Sequence, residues 1–145
     1  MKLVSAFEHK ASWKRMRQAL YNELPEDFQE DEMLLIANDK EWRESFIVFE
    51  GDKEVGLLEV SLRNFVDGCL TTPVAYIEGI YIEAEYRGKG YGRKILNEAK
   101  SWGKSRGCSE IASDSELDNL EAQKFHNAIG FEETYRIVQY RMDLE

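Results

Sequence analysis

The chain has 145 residues, a formal net charge of −9 at pH 7, and 43% hydrophobic against 32% charged residues. That length supports one domain with a real core rather than two, and the acidity argues against a nucleic-acid binder, whose surface is normally basic. No apolar run approaches the ~20 residues that a bilayer-spanning helix needs.

The N-terminus, Met1 to Phe7, has no signal-peptide core before Glu8-His9-Lys10 interrupts it. Cys69 and Cys108 lack C-x-x-C or metal-ligand spacing and read as free thiols in a reducing, cytoplasmic compartment. No membrane, nucleic-acid or metal partner is expected. Acidity of this size favours a cationic partner, because an acidic cleft concentrates positive ligands; the alternative is that it only aids solubility.

A strand is predicted from Lys2 to Ala6, then a helix from about Glu8 to Asn22 whose Trp13, Met16, Ala19 and Leu20 share a face. Pro25 breaks the chain before a second helix, Glu26 to Ala37, carrying Phe28, Met33, Leu34 and Ile36. Glu44 to Glu50 and Glu54 to Leu62 read as strands joined by Gly51-Asp52-Lys53, a hairpin turn by composition. A loop, Asn64 to Pro73, leads into Val74 to Ile82, which is dense in β-branched and aromatic residues. Ile95, Leu96, Ala99 and Trp102 then recur at helical spacing in a helix from Gly90 to about Arg106. A short strand (Glu110 to Ser113) precedes a helix opened at Asp118, where Asp118 and Glu121 fit a capping box. Beyond Phe131 one or two strands are expected, with Thr134 to Met142 alternating roughly. With no repeat or linker, the pattern describes a single α+β domain spanning residues 1–145, built on a mixed, mostly antiparallel twisted sheet.

Between the Val74 strand and the Gly90 helix lies Arg87-Gly88-Lys89-Gly90-Tyr91-Gly92. Strand, glycine turn and helix start together make an anion site. Backbone N–H groups point out of the turn, the helix dipole favours negative charge, and missing Cβ atoms permit close approach. The turn lacks the G-x-x-x-x-G-K-[ST] of a P-loop and the G-x-G-x-x-G of a dinucleotide fold. By itself R-x-x-G-x-G also occurs as an ordinary loop. Here it is followed in order by Asn119-Leu120-Glu121-Ala122, His126 and Gly130-Phe131.

With both motifs in that order, the chain resembles the GCN5-related N-acetyltransferase (GNAT) superfamily over nearly its whole length. Leu58-Glu59-x-Ser61-x-Arg63, Pro73-Val74-x-Tyr76-x-Glu78-Gly79-Ile80-Tyr81, Ala112-Ser113-Asp114 and Gly130-Phe131-Glu132-Glu133-Thr134 are similar to one subgroup, the small dimeric aminoglycoside 6'-N-acetyltransferases. The resemblance implies the GNAT fold, acetyl-CoA as co-substrate and a cationic aminoglycoside as acceptor. It also implies a homodimer paired through its C-terminal strand, with Ile137 to Met142 supplying the residues. Acetyl transfer to another polyamine or a peptide amine, or a non-catalytic acyl-CoA sensor, are the competing readings.

By the same resemblance, Arg87, Gly88, Lys89, Gly90, Tyr91 and Gly92 hold the pyrophosphate. Ile80, Tyr81 and Ile82 pair with the pantetheine, and Asn119 hydrogen-bonds near it. A backbone N–H of that strand would face the thioester oxygen. Gly79 sits where a bulge could expose such a group, or else it only relieves crowding.

Glu78 is the first candidate for proton transfer or ammonium binding, since a carboxylate within an apolar strand is costly unless exposed or paired. The alternative is a solvated, outward-facing side chain. Asp114, directly after the short strand, is the second candidate; its rival use is helix capping, for which Ser115 and Asp118 stand nearer. His126 falls where many superfamily members carry a tyrosine proposed to protonate the leaving thiolate. A structural histidine is the other reading. Phe65 and Tyr76, with Trp13 and Tyr21, could form a sugar-stacking wall, although Trp13 fits the core better. Glu23, Glu26, Asp27, Glu30, Asp31 and Glu32 form an acidic segment that either shapes the acceptor pocket or is a solvated face.

Overall fold

The computed structural model describes all 145 residues. Its elements are β1 (Lys2–Ser5), α1 (Lys10–Leu20), α2 (Glu26–Ala37), β2 (Arg43–Glu50), β3 (Lys53–Arg63), β4 (Val74–Ile82), α3 (Tyr91–Ser105), β5 (Ile111–Ser113) and α4 (Leu120–Ala128). The strands form one sheet in the order β1-β2-β3-β4-β5. All neighbours are antiparallel except β4 and β5, which run parallel across the α3 crossover.

Alternation places successive side chains on opposite faces, and here both faces are buried. Val48, Leu58, Val60, Ala75 and Ile77 pack under Ile95, Leu96, Ala99 and Trp102 of α3. Ile47 and Leu57 point the other way, beneath Trp13 and Met16 of α1 and Ile36 of α2. Burial of both faces explains why the strands read as near-continuous apolar runs rather than half-polar ones.

Three expectations change. The helix predicted from Glu8 begins as a 3-10 turn, Ala6–His9, before α1 starts at Lys10. The capping box at Asp118 does not form: Asn119 caps α4 instead, its side-chain oxygen accepting the Ala122 N–H at 3.1 Å. The strands expected beyond Phe131 are absent. That segment forms no helix or strand and pairs with no strand of the sheet, and it leaves Ile137, Val138, Tyr140 and Met142 exposed.

One irregularity shapes the site. The β3–β4 register runs Leu58↔Ile80 and Glu59↔Gly79, then jumps to Val60↔Ile77, so Glu78 is an extra, bulged residue. The bulge resets the alternation of β4. Ala75 and Ile77 lie on the α3 face before it, and Ile80 and Ile82 on the same face after it.

Candidate active site

β5 pairs with β4 only at Ala75, Tyr76 and Ile77, so from Glu78 onward β4 has an open edge. Which residues face that edge follows from antiparallel alternation. The Glu83 N–H bonds the Val55 carbonyl of β3, which puts the polar groups of Tyr81 and Gly79 on the β3 side. Ile80 and Ile82 therefore present theirs outward, and Arg87 Nε does reach the Ile82 carbonyl at 2.8 Å. Without the bulge the parity would be reversed.

The open edge runs into the glycine turn. Gly88 and Gly90 have φ of 73° and 86°, and a Cβ at either would meet nothing within 4 Å. The left-handed backbone thus suits glycine, and the space before it is free for a ligand. Gly90 is the N-cap of α3, whose first turn has no acidic residue and no side-chain cap, so its leading N–H groups stay available. Arg87 and Lys89 are exposed beside them, a basic spot on an acidic chain. Tyr91 packs edge-on against Tyr86 at 5.9 Å, and Gly92 is buried against Phe125 of α4. An anion-binding turn continuous with an unpaired strand edge fits a long ligand with a pyrophosphate at one end and amide groups along its length.

On the other side of β4, five residues form a chain. The Glu78 carboxylate accepts the Ser61 hydroxyl at 2.6 Å and two bonds from Arg63 Nη2 at 2.9 Å, one to each oxygen. The Arg63 guanidinium lies 3.5 Å from the Tyr76 ring centroid. The Tyr76 hydroxyl donates to Asp114 Oδ2 at 2.5 Å. Burial and then that hydrogen bond to Asp114 push the Tyr76 hydroxyl well above its ordinary value, so it remains a donor. Glu78 and Asp114 are both exposed, and each keeps acceptor capacity facing solvent.

His126 is half-buried and uses both ring nitrogens: Nδ1 lies 2.6 Å from the Ala122 carbonyl and Nε2 2.9 Å from Ser113 Oγ. The carbonyl can only accept, so Nδ1 carries the hydrogen, and in the neutral ring Nε2 accepts from Ser113. This is the arrangement of a structural histidine joining α4 to β5. Asn119 spends its oxygen on the α4 cap. Phe65 is 86% exposed on the Asn64–Pro73 loop, whose far end is held by Glu110 through the Leu70 and Thr71 N–H groups at 2.8 and 2.7 Å. Trp13 is 2% exposed and belongs to the core. Of the acidic segment, Glu26 and Glu30 pair with Lys14, and Glu32 pairs with Arg17. No group of three or more His, Cys, Asp or Glu residues is placed to hold a metal ion.

Residues 13–131 match the acetyltransferase (GNAT) family. The chain belongs to that family. GNAT enzymes take their acetyl group from acetyl-CoA, and this chain is an acetyl-CoA-dependent acetyltransferase. The chain is 37% identical over 137 residues to an aminoglycoside N(6')-acetyltransferase type 1 of Stenotrophomonas maltophilia, covering 93% of this chain and 88% of that one. Among solved structures it is similar to the apo aminoglycoside 6'-N-acetyltransferase AAC(6')-IG of Acinetobacter haemolyticus, with a TM-score of 0.88, 29% identity and coverage of 99% and 98%. It is equally similar (TM-score 0.88, 30% identity, coverage of 99% and 97%) to AAC(6')-Iy in complex with the bisubstrate analogue CoA-S-monomethyl-acetylneamine.

Sequence reasoning found the glycine turn and singled out both carboxylates, and it offered a bulge at Gly79 as one of two readings, but it missed Arg63 as the partner of Glu78. A signal existed: Glu59, Ser61 and Arg63 alternate along β3 and so share a face. It also gave no position to Glu59, a carboxylate in an apolar strand as conspicuous as Glu78.

Proposed function

We propose that this chain transfers the acetyl group of acetyl-CoA to the 6'-amine of aminoglycosides by direct attack of the amine on the thioester. The observation that carries the reading is the likeness, over almost the whole chain, to an enzyme holding an analogue that joins CoA to an acetylated neamine. The acidic chemistry beside the open edge supports it, since Glu78 and Asp114 present carboxylates where a polycation would approach the donor.

The glycine turn with Arg87 and Lys89 holds the pyrophosphate, and Ile80 to Ile82 align the donor along the strand. Acetyl-CoA supplies the activated acyl group. The outward N–H of Ile80 faces the carbonyl oxygen on which charge develops. Glu78, whose Oε1 already accepts three hydrogen bonds, serves as ammonium anchor. Asp114, with Oδ1 free beside the bond to Tyr76, takes the amine proton directly or through water. Phe65 supplies an aromatic contact to the acceptor, whereas Tyr76, 5% exposed with Arg63 over its ring, acts through its hydroxyl on Asp114. His126 supports β5 from α4 through Ser113 and donates no proton in this reading.

Two further parts belong to the proposal. The exposed Tyr135, Ile137, Val138, Tyr140, Met142 and Leu144 form more apolar surface than a lone domain usually leaves open, which a second copy would cover in a homodimer. The free Cys69 and Cys108 suit the reducing cytoplasm. No helix is long and apolar enough to cross a membrane.

The test is thiol release from acetyl-CoA with kanamycin, tobramycin, spermidine and a peptide panel, each aminoglycoside paired with an analogue lacking the 6'-amine. Turnover that requires that amine is expected. Turnover with spermidine or peptides alone would replace the acceptor, and silence with CoA still binding would replace catalysis with sensing. Sedimentation at micromolar concentration should give a dimer; monomer alone would remove that claim.

A further inference from the structure

The bulge at Glu78 decides which backbone groups reach the open edge, and something must hold it, because a bulged peptide loses its place in the ladder. Tyr21, the residue that caps the C-terminal end of α1, reaches across to it. Its hydroxyl lies 3.1 Å from Glu59 Oε1 and 3.2 Å from the Glu78 carbonyl oxygen, so its single hydrogen is shared between two acceptors. A Cβ at Gly79 would overlap that hydroxyl and the Leu20 side chain, so the missing side chain is what admits Tyr21 to the strand. Crowding and bulge, the two readings of Gly79, therefore have one cause.

The tyrosine is itself fixed from several directions. Its N–H bonds the Arg17 carbonyl at 2.7 Å, and its carbonyl accepts Gln29 Nε2 of α2 at 3.1 Å. The Arg17 guanidinium lies 4.8 Å from its ring centroid. Glu59, 3% exposed, also accepts Trp13 Nε1 at 2.9 Å and Ser45 Oγ at 2.7 Å and pairs with Arg17, itself 1% exposed. A buried ion pair of this kind contributes little net stability, yet it anchors Glu59 from α1 and β2 at once, opposite the bulge.

We propose that Tyr21 is a positioning residue for acetyl transfer: its hydroxyl hydrogen, shared between Glu59 and the Glu78 carbonyl, ties the bulged peptide to the buried Glu59–Arg17 pair and so holds the bulge that turns the Ile80 N–H toward the open edge. The inference rests on the acetyl-CoA reading of that edge and is independent of which amine accepts. It also separates Tyr21 from the sugar-stacking wall.

Tyr21→Phe keeps the ring and removes the brace. The expected result is kcat lowered about tenfold, with KM for acetyl-CoA and for the amine each within about twofold of the parent. Amide exchange at Gly79 and Ile80 should quicken about tenfold in the same variant, while exchange in α3 stays unchanged. Unchanged kcat with unchanged exchange would overturn the proposal. So would a raised amine KM at constant kcat, which would make Tyr21 an acceptor contact. If the parent acetylates no amine tested, the proposed function fails, and the exchange comparison still decides the brace.

Discussion

Glu59 and Glu78 stand beside the same bulge, each held by an arginine and a serine hydroxyl, yet they differ in almost every consequence. Glu59 is 3% exposed, and its oxygens accept from four side chains on α1 and β2. Glu78 has about a third of its side chain exposed and answers to Ser61 and Arg63 alone. Water cannot replace a lost partner in the first case and readily does in the second. The buried pair therefore defines the architecture, and the exposed pair is a contact that an incoming cation can exchange. A polycationic acceptor reaching Glu78 must compete with Arg63, which occupies that carboxylate as an internal counter-ion.

The largest expected effect comes from breaking the buried half. Glu59→Ala strands Arg17 without its main partner and should cost roughly 3–5 kcal/mol in urea unfolding. Loss under 1 kcal/mol would show that Glu32 alone satisfies Arg17.

Breaking the exposed half should leave the fold intact. Glu78→Gln is expected to lower kcat/KM for aminoglycosides about 100-fold while CoA affinity, followed by fluorescence, stays within twofold. Equal losses for both ligands would mean that Glu78 supports the strand rather than the acceptor.

Arg63→Met sharpens the comparison by releasing Glu78 without removing it. Aminoglycoside KM at low salt should fall roughly three- to tenfold and rise more steeply with ionic strength than in the parent. A higher KM would show instead that Arg63 orients the carboxylate for the amine.

His126→Gln tests a residue whose nitrogens are both engaged. A kcat loss below about tenfold is expected, with the pH profile keeping its shape, because the ring joins Ala122 to Ser113 and in the proposed reading donates no proton. Disappearance of one limb of the profile would restore the proton-donor reading.

The smallest effect concerns Glu110, whose carboxyl is held below its ordinary value of 4.5, first by the Thr71 hydroxyl and then by the Leu70 N–H. A depressed folded value means that its contribution is complete above the ordinary carboxylate range and is lost as pH falls through the lower value. The Thr71 amide resonance should titrate with an apparent midpoint below 4.5. A midpoint at or above that value would detach Glu110 from the loop.

Much of this molecule was legible in its residues because the signals were local. The period of α3, the β-branched density of β4 and the Arg87–Gly92 turn each depend on neighbours within a few positions, and each element lies where its pattern placed it. Even the bulge was written in the spacing, since Ile77 and Ile80 are three apart where a regular strand would alternate by two. The α4 cap differed because Asn119 and Asp118 are both competent caps and packing selected one. The C-terminal strands failed for a different reason: a strand exists only where its backbone pairs with a partner, and no stretch of sequence carries that partner within itself.

The sequence alone therefore determined the secondary elements from β1 to α4, the glycine turn and the two candidate carboxylates, all products of backbone propensity and short-range spacing. Only the tertiary structure decided that Tyr21 reaches the bulge, that Arg63 clamps Glu78 and that His126 is tied to Ser113. Those contacts join residues between 13 and 57 positions apart. They arise from how α1 and α4 pack on the sheet and, for Arg63 and Glu78, from the β3–β4 register; partners at such separations are fixed by tertiary structure, not by local pattern.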